Sequence, residues 1–381
     1  MTRDYVGAND ENLVVTDRGG VIENTHEIHA AVVDASGRLL YSVGDPHRVT
    51  LIRSAAKPVQ ALAVAETGAL DSSSFGDEEL ALMCASHSAE DGHVERARKM
   101  LRSVGAQESD LRCGGHPSIM PRITERWVRE GVEPTAVHNN CSGKHAGMLA
   151  GARALGAPLE GYHLAGHPMQ ERVRRVVEEV AGLPRDEVRW GVDGCNMPAP
   201  AYPLTHLAKT YALFAKAADD EDDEDDGEAE EERVKGRKAW MACIFRAMSG
   251  HPEQVAGQGR FCTTLMRAFS GNLIGKVGAD ACYAIGVRGS GGCEWTRRLG
   301  AEGPVGIAVK VADGNLDILY AAVPELLERL GVGTPEMRAA LDRFHHLEMR
   351  NSMGVVTGKV AFPFRVRAPA EDVPSSPVVK A

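Results

Sequence analysis

Apolar and polar positions alternate between two periods along this chain. Around residues 28–44, the segments IHAAVVD and RLLYSVG flank Ala35-Ser36-Gly37, which is the pattern of a β-hairpin. From 53 to 66, RSAAKPVQALAVAE places Val59, Leu62 and Ala63 at helical spacing, with Pro58 marking the helix start. Helical patterns recur at 77–85, 93–104, 144–155, 169–180, 204–217, 237–248 and 261–269. Residues 285–287 and 306–311 are strand-like, and Gly314 closes the second with a turn. The stretch 316–330 is helical, with Pro324 expected to divide it. No repeat of 20–50 residues is present. The pattern predicts a mixed α/β (α+β) chain with its helices concentrated in the middle.

Charge changes this picture at one place. Residues 219–232 read DDEDDEDDGEAEEE; without these twelve acids the formal charge moves from −10 to +2. A run so charged and so poor in apolar residues is expected to be a disordered insertion, over 218–233. Residues 366–381 are expected to be a weakly structured tail, and the whole of 1–381 a single two-lobed domain, because no linker separates two cores. Lys and Arg are scattered, which argues against a nucleic-acid partner. No apolar run approaches a membrane span and none follows basic residues at the N-terminus, so a cytoplasmic address is expected. The eight cysteines form no CxxC pair, which suits free thiols in a reducing compartment.

Several segments carry chemistry. Ser54-Ala55-Ala56-Lys57 is an SxxK arrangement, in which a neutral lysine can take the serine proton. Cys84-Ala85-Ser86-His87 ends an apolar helix in polar residues. HNNCSGKHAG, with Cys141 and Lys144, precedes a helix, and its Gly143 and Gly147 permit a close approach. GVDGCNMP exposes Asp193 and Cys195 in a turn-rich loop. GKVGAD places Lys276 between glycines ahead of a strand, similar to the KTG element of serine acyl-enzymes, with Val277 in place of Thr. Taken singly, each has an ordinary structural explanation.

Together, SAAKP, CASHSAEDGH, CGGHPS, HNNCSGKHAGML, GVDGCNMPAPAYPL, KVGAD and GIAVKVADGN resemble, in that order, the asparaginase II family of thermolabile, Rhizobium-type L-asparaginases. The resemblance covers roughly residues 20–365. It implies a fold similar to serine β-lactamases and glutaminases, a helical centre against an antiparallel sheet, and a homodimer. It implies hydrolysis of L-asparagine to aspartate and ammonia by two Ser-Lys tandems, Ser54 with Lys57 and Ser86 with Lys276, with Ser54 favoured as nucleophile. It also implies a zinc ion on Cys141, Lys144 and Cys195, and a substrate pocket bordered by Arg53, Asp193 and Cys262. One departure stands out: the family's lysine segment reads close to K-x-G-A-E-G, and this chain has Asp280 and Ala281 there. Another SxxK acyl-hydrolase, glutaminase or β-lactamase-like, and a non-catalytic zinc-stabilised amino-acid-binding protein are the rival readings.

Overall fold

The computed structural model describes residues 11–224, 236–290 and 294–369. Its strands are β1 (Leu13–Arg18), β2 (Val21–Asp34), β3 (Leu39–Val43), β4 (Val49–Leu51), β5 (Arg189–Val192), β6 (Pro198–Pro203), β7 (Leu273–Gly278), β8 (Cys282–Val287), β9 (Val305–Val311), β10 (Glu348–Arg350) and β11 (Val356–Ala361). Eight form an antiparallel sheet in the order β10-β11-β1-β2-β9-β8-β7, with β3 also paired to β2. A small second sheet runs β4-β6-β5.

The expected hairpin at 28–44 is the β2–β3 pair, in register from Ala30–Val43 to Val33–Leu39. β2 extends further back, because residues 21–27 pair with β1 while the later half pairs with β9. Ala30 to Val33 are fully buried, so this half of the strand is covered on both faces and reads as a continuous apolar run. The helix Leu204–Glu224 lies across β2, β8 and β9. Helix Ser142–Ala154 is buried through almost all its length. A Cβ on its Gly143 would sit 2.5 Å from the Leu82 carbonyl oxygen, so glycine is what lets this helix meet Asp77–Met83.

Three expectations change. The helix Leu316–Arg329 continues through Pro324. Proline removes one hydrogen bond there, but Pro324 and its neighbours Val323 and Leu326 are buried in the core, which offsets the loss. The first part of the 218–233 insertion is helix rather than disordered chain, since Leu204–Glu224 runs into it. The charges of its first three acids are matched. Asp219 pairs with Arg288 at 2.6 Å and accepts from the Gly289 and Ser290 backbone; Asp220 pairs with Lys216 and Lys238, and Glu221 with Arg246. Residues 225–235 of that segment lie outside the described residues. In the tail, Arg367 forms a β-bridge with Ser42, and 370–381 lie outside the described residues.

Candidate active site

Ser54 sits in a 3₁₀ turn, Arg53–Ala56, and Lys57 opens the helix Lys57–Ala65 with Pro58 in its first turn. Ser86 follows the helix Asp77–Met83, and its backbone N–H donates to the Val255 carbonyl at 2.9 Å. Lys276 lies inside β7, not in a turn ahead of a strand. A Cβ on Gly278, two residues on, would come within 2.4 Å of the Ile52 carbonyl oxygen, so its absence brings the end of β7 against the Ser54 turn.

Both lysines are wholly buried and converge on one hydroxyl. Lys276 Nζ is 2.8 Å from Ser86 Oγ, and Lys57 Nζ is 3.1 Å from the same oxygen. Burial first, then the neighbouring Lys57 charge, lowers the Lys276 amine to about 7. A neutral amine at this distance can accept the serine proton. Ser86 and Lys276, the second expected tandem, therefore lie within hydrogen-bond distance of each other.

The first expected tandem is not assembled through its side chains. Lys57 meets Ser54 by donating its backbone N–H to the Ser54 carbonyl. Its amine reaches the Ala85 carbonyl, Ser86 Oγ and, at 3.0 Å, Cys141 Sγ. The Ser54 hydroxyl makes no hydrogen bond among the described residues. The cause is the 3₁₀ turn: Ser54 precedes the helix, so the pair lacks the helix-face geometry that an i, i+3 spacing implies.

Cys141, Lys144 and Cys195 also meet. Lys144 Nζ is 2.9 Å from Cys195 Sγ. Cys141 caps the N-terminus of helix Ser142–Ala154. A hydrogen bond from Cys195 holds the Cys141 thiol well below its ordinary value, aided by the Lys57 and Lys144 charges against the opposing effect of burial. The same bond, with burial, pushes Cys195 up. Lys144 is pushed up too: burial lowers it, but Cys195, Cys141 and Asp193 outweigh that. Two thiols and one amine on a buried centre suit a tetrahedral zinc site with one open position once metal binding displaces the proton of Lys144. Elsewhere among the described residues, His and carboxylate donors cluster at Asp342, His345 and His346, and at Glu325, Glu328 and His345.

Arg53 acts as a clamp. Its Nε donates to Asp193 at 2.7 Å, and its guanidinium also pairs with Asp280. Its φ of 49° is left-handed, a strained conformation for a side-chain-bearing residue. Burial raises the Asp193 carboxyl, but Lys144 and Arg53 together hold it below its usual value. Asp280 and Ala281 form the β7–β8 turn with φ of 55° and 58°. The departure from the family pattern thus leaves a strained alanine in the turn, yet Lys276 still reaches Ser86.

A cavity of about 420 Å³ has both Ser54 and Ser86 in its wall, with Asn140, Arg260, Asp317 and Tyr320. Arg53 and Asp193 lie outside this wall. Cys262 is buried, with its sulfur accepting the Tyr283 hydroxyl at 3.3 Å. None of these three expected pocket residues lines this cavity. Arg260 and Asp317, which line the cavity, belong to no spaced motif in the sequence.

A model of the L-asparaginase II family matches residues 14–362. The chain belongs to the L-asparaginase II family. That family acts on amides as a hydrolase and takes a small-molecule substrate. The matched span runs from β1 to just past β11 and includes every residue of the asparaginase II site described above. Comparison with curated proteins gives no match. Among the described residues, no helix is long and apolar enough to cross a membrane.

Proposed function

We propose that this asparaginase II chain hydrolyses L-asparagine to L-aspartate and ammonia through an acyl-enzyme on Ser86. The convergence of two buried amines on Ser86 Oγ carries the reading. Neutral Lys276 takes the hydroxyl proton as the oxygen attacks the side-chain amide carbon. The charge of Lys57, at 3.1 Å, favours the alkoxide that forms. As the C–N bond breaks, the proton held by Lys276 passes to the leaving nitrogen and ammonia departs. Water, deprotonated by the same lysine, then cleaves the aspartyl ester and restores Ser86.

A second reading has Ser54 attack while Ser86 relays the proton to Lys276. Its support is that Ser54 lines the same cavity with an unengaged hydroxyl. Mass spectrometry of a trapped aspartyl adduct decides: a label on Ser86 supports the first reading, and a label on Ser54 with none on Ser86 overturns it.

Zinc held by Cys141, Lys144 and Cys195 would supply a Lewis acid beside the cavity. Asp193, next to both Lys144 and Arg53, would orient that ligand set. The reading also takes the fold as similar to serine β-lactamases and the working form as a cytoplasmic homodimer. Ammonia release from asparagine and glutamine, with zinc content and molecular mass measured on the same sample, tests these together.

A further inference from the structure

The hydrolytic groups occupy only part of the cavity wall. Another part is built of rings. Phe261 opens the helix Phe261–Phe269, Tyr320 lies on Leu316–Arg329 and Phe344 on Asp342–His345. These three segments, distant in sequence, bring their rings together. Phe261 stacks on Tyr320 with centroids 4.8 Å apart, and Phe344 meets Phe261 edge-on at 5.1 Å and Tyr320 at 6.2 Å. All three rings line the cavity, and so do Ile119, Leu316 and Leu347. Tyr320 and Phe344 are half-buried, so aromatic surface stays open to the cavity. The Arg343 guanidinium lies 4.5 Å over the Phe344 ring and steadies it. This wall begins close to the proposed nucleophile: Arg260 Nη1 is 3.5 Å from the Ser86 carbonyl, and the same side chain bonds the Tyr320 phenol.

The geometry points to this aromatic wall as the seat of an aryl group on the amide nitrogen, which makes β-aspartyl arylamides a further substrate class. The inference rests on the proposed amide hydrolysis and extends it from ammonia to an arylamine as the product released. The cavity, at about 420 Å³, lies in the range that holds a drug-sized ligand, roughly 300–1,000 Å³, and exceeds what an amino acid the size of asparagine fills. Ammonia, as a leaving group, has no apolar surface to set against three rings. Of the parts of asparagine, the amide nitrogen is where a further group leaves the aspartyl ester unchanged. An aryl group there meets the offset-stacked and edge-on arrangements that aromatic rings favour. The chemistry balances as before. Ser86 Oγ bonds the amide carbon, the C–N bond breaks, and the proton taken by Lys276 passes to the nitrogen, which departs as the arylamine. Water then cleaves the ester and restores the serine.

The test uses the full chain with two substrates on the same sample, L-aspartic acid β-(p-nitroanilide), read by p-nitroaniline absorbance, and L-asparagine, read by ammonia. Wild type is expected to release p-nitroaniline, and Ser86→Ala to lose that release. Phe344→Ala is expected to lower kcat/KM on the anilide about tenfold more than on asparagine, because the leaving group is the same before and after the substitution and the ring has lost its seat. If Phe344→Ala does not fold, Leu347→Ala, on the same wall, reads the same ratio. Protein that releases ammonia but no p-nitroaniline overturns the arylamide class and leaves the hydrolytic reading standing. Release of p-nitroaniline without ammonia supports the class and removes asparagine as the substrate. Neither product overturns both. Equal losses on the two substrates in the wall variant, or p-nitroaniline release that survives Ser86→Ala, also overturn the inference.

Discussion

Lys276 Nζ and Ser86 Oγ lie 2.8 Å apart although 190 residues separate them in the chain. Burial and the Lys57 charge lower this lysine to about 7, so the contact makes activity depend on pH. Protonation of Lys276 removes the base. We expect kcat/KM to fall about tenfold per pH unit below about pH 7 and to level off above it, as a pH-rate profile would record. The same shift affects stability with a definite sign. Between about 7 and the unfolded value near 10.4, the unfolded chain binds more protons, so this group makes stability rise with pH across that window. Denaturant melts at several pH values check the direction.

Substituting the hydroxyls separates the two serines. Ser86→Ala leaves Lys57 and Lys276 without their shared partner and should reduce kcat by about 10³-fold or more. Ser54→Ala removes a hydroxyl that makes no hydrogen bond among the described residues, so its effect should be at least tenfold smaller. A larger loss at Ser54, measured by ammonia release, would reverse the assignment.

Loss of metal should remove activity together with bound zinc. Cys141→Ser weakens the ligand set and also takes the thiolate away from Lys57. Elemental analysis and ammonia release on this variant should fall together, as should those of chelator-treated wild type. Full activity in zinc-free protein would exclude the metal from the working site.

The acidic tract divides into two parts with different expected behaviour. Asp219 is buried and bonded to Arg288 and to the Gly289 and Ser290 backbone. Asp219→Ala removes the ion pair with Arg288 and the acceptor of the Gly289 and Ser290 backbone N–H groups, and should cost about 1–3 kcal/mol in a urea melt. Deletion of residues 225–235 touches none of the candidate residues and should leave kcat within about twofold.

Gly143→Ala tests the helix contact behind the site. The added methyl meets the Leu82 carbonyl oxygen, and backbone cannot move aside as a flexible side chain could. We expect a loss of about 1–3 kcal/mol by thermal or urea denaturation, with ammonia release falling because Cys141 and Lys144 sit on the displaced helix.

The long amphipathic helices and the 28–44 hairpin were legible because their periods are carried locally. The small sheet was not: β6 reads PAPAYP, and prolines ordinarily argue against a central strand. Helix Pro121–Glu130 was missed as well, since only Ile123 and Trp127 of its ten residues are buried. The helical start of the acidic tract could not be read because its matching cations, Arg246 and Arg288, come from distant segments. At the site, motif order picked out segments that the fold brings together. Spacing does not give the partners of Lys57, whose amine turns to Ser86 and Cys141 across a fold that an i, i+3 rule does not contain.

The candidate centre takes its amines from residues 57 and 276 and its hydroxyl from residue 86, the last amine on β7, the edge strand that pairs with β8. During synthesis, then, a nascent chain carries the serine and one lysine long before the second lysine emerges. The cluster is therefore incomplete through more than two thirds of translation, and the proposed cleavage requires β7 to have emerged and paired with β8.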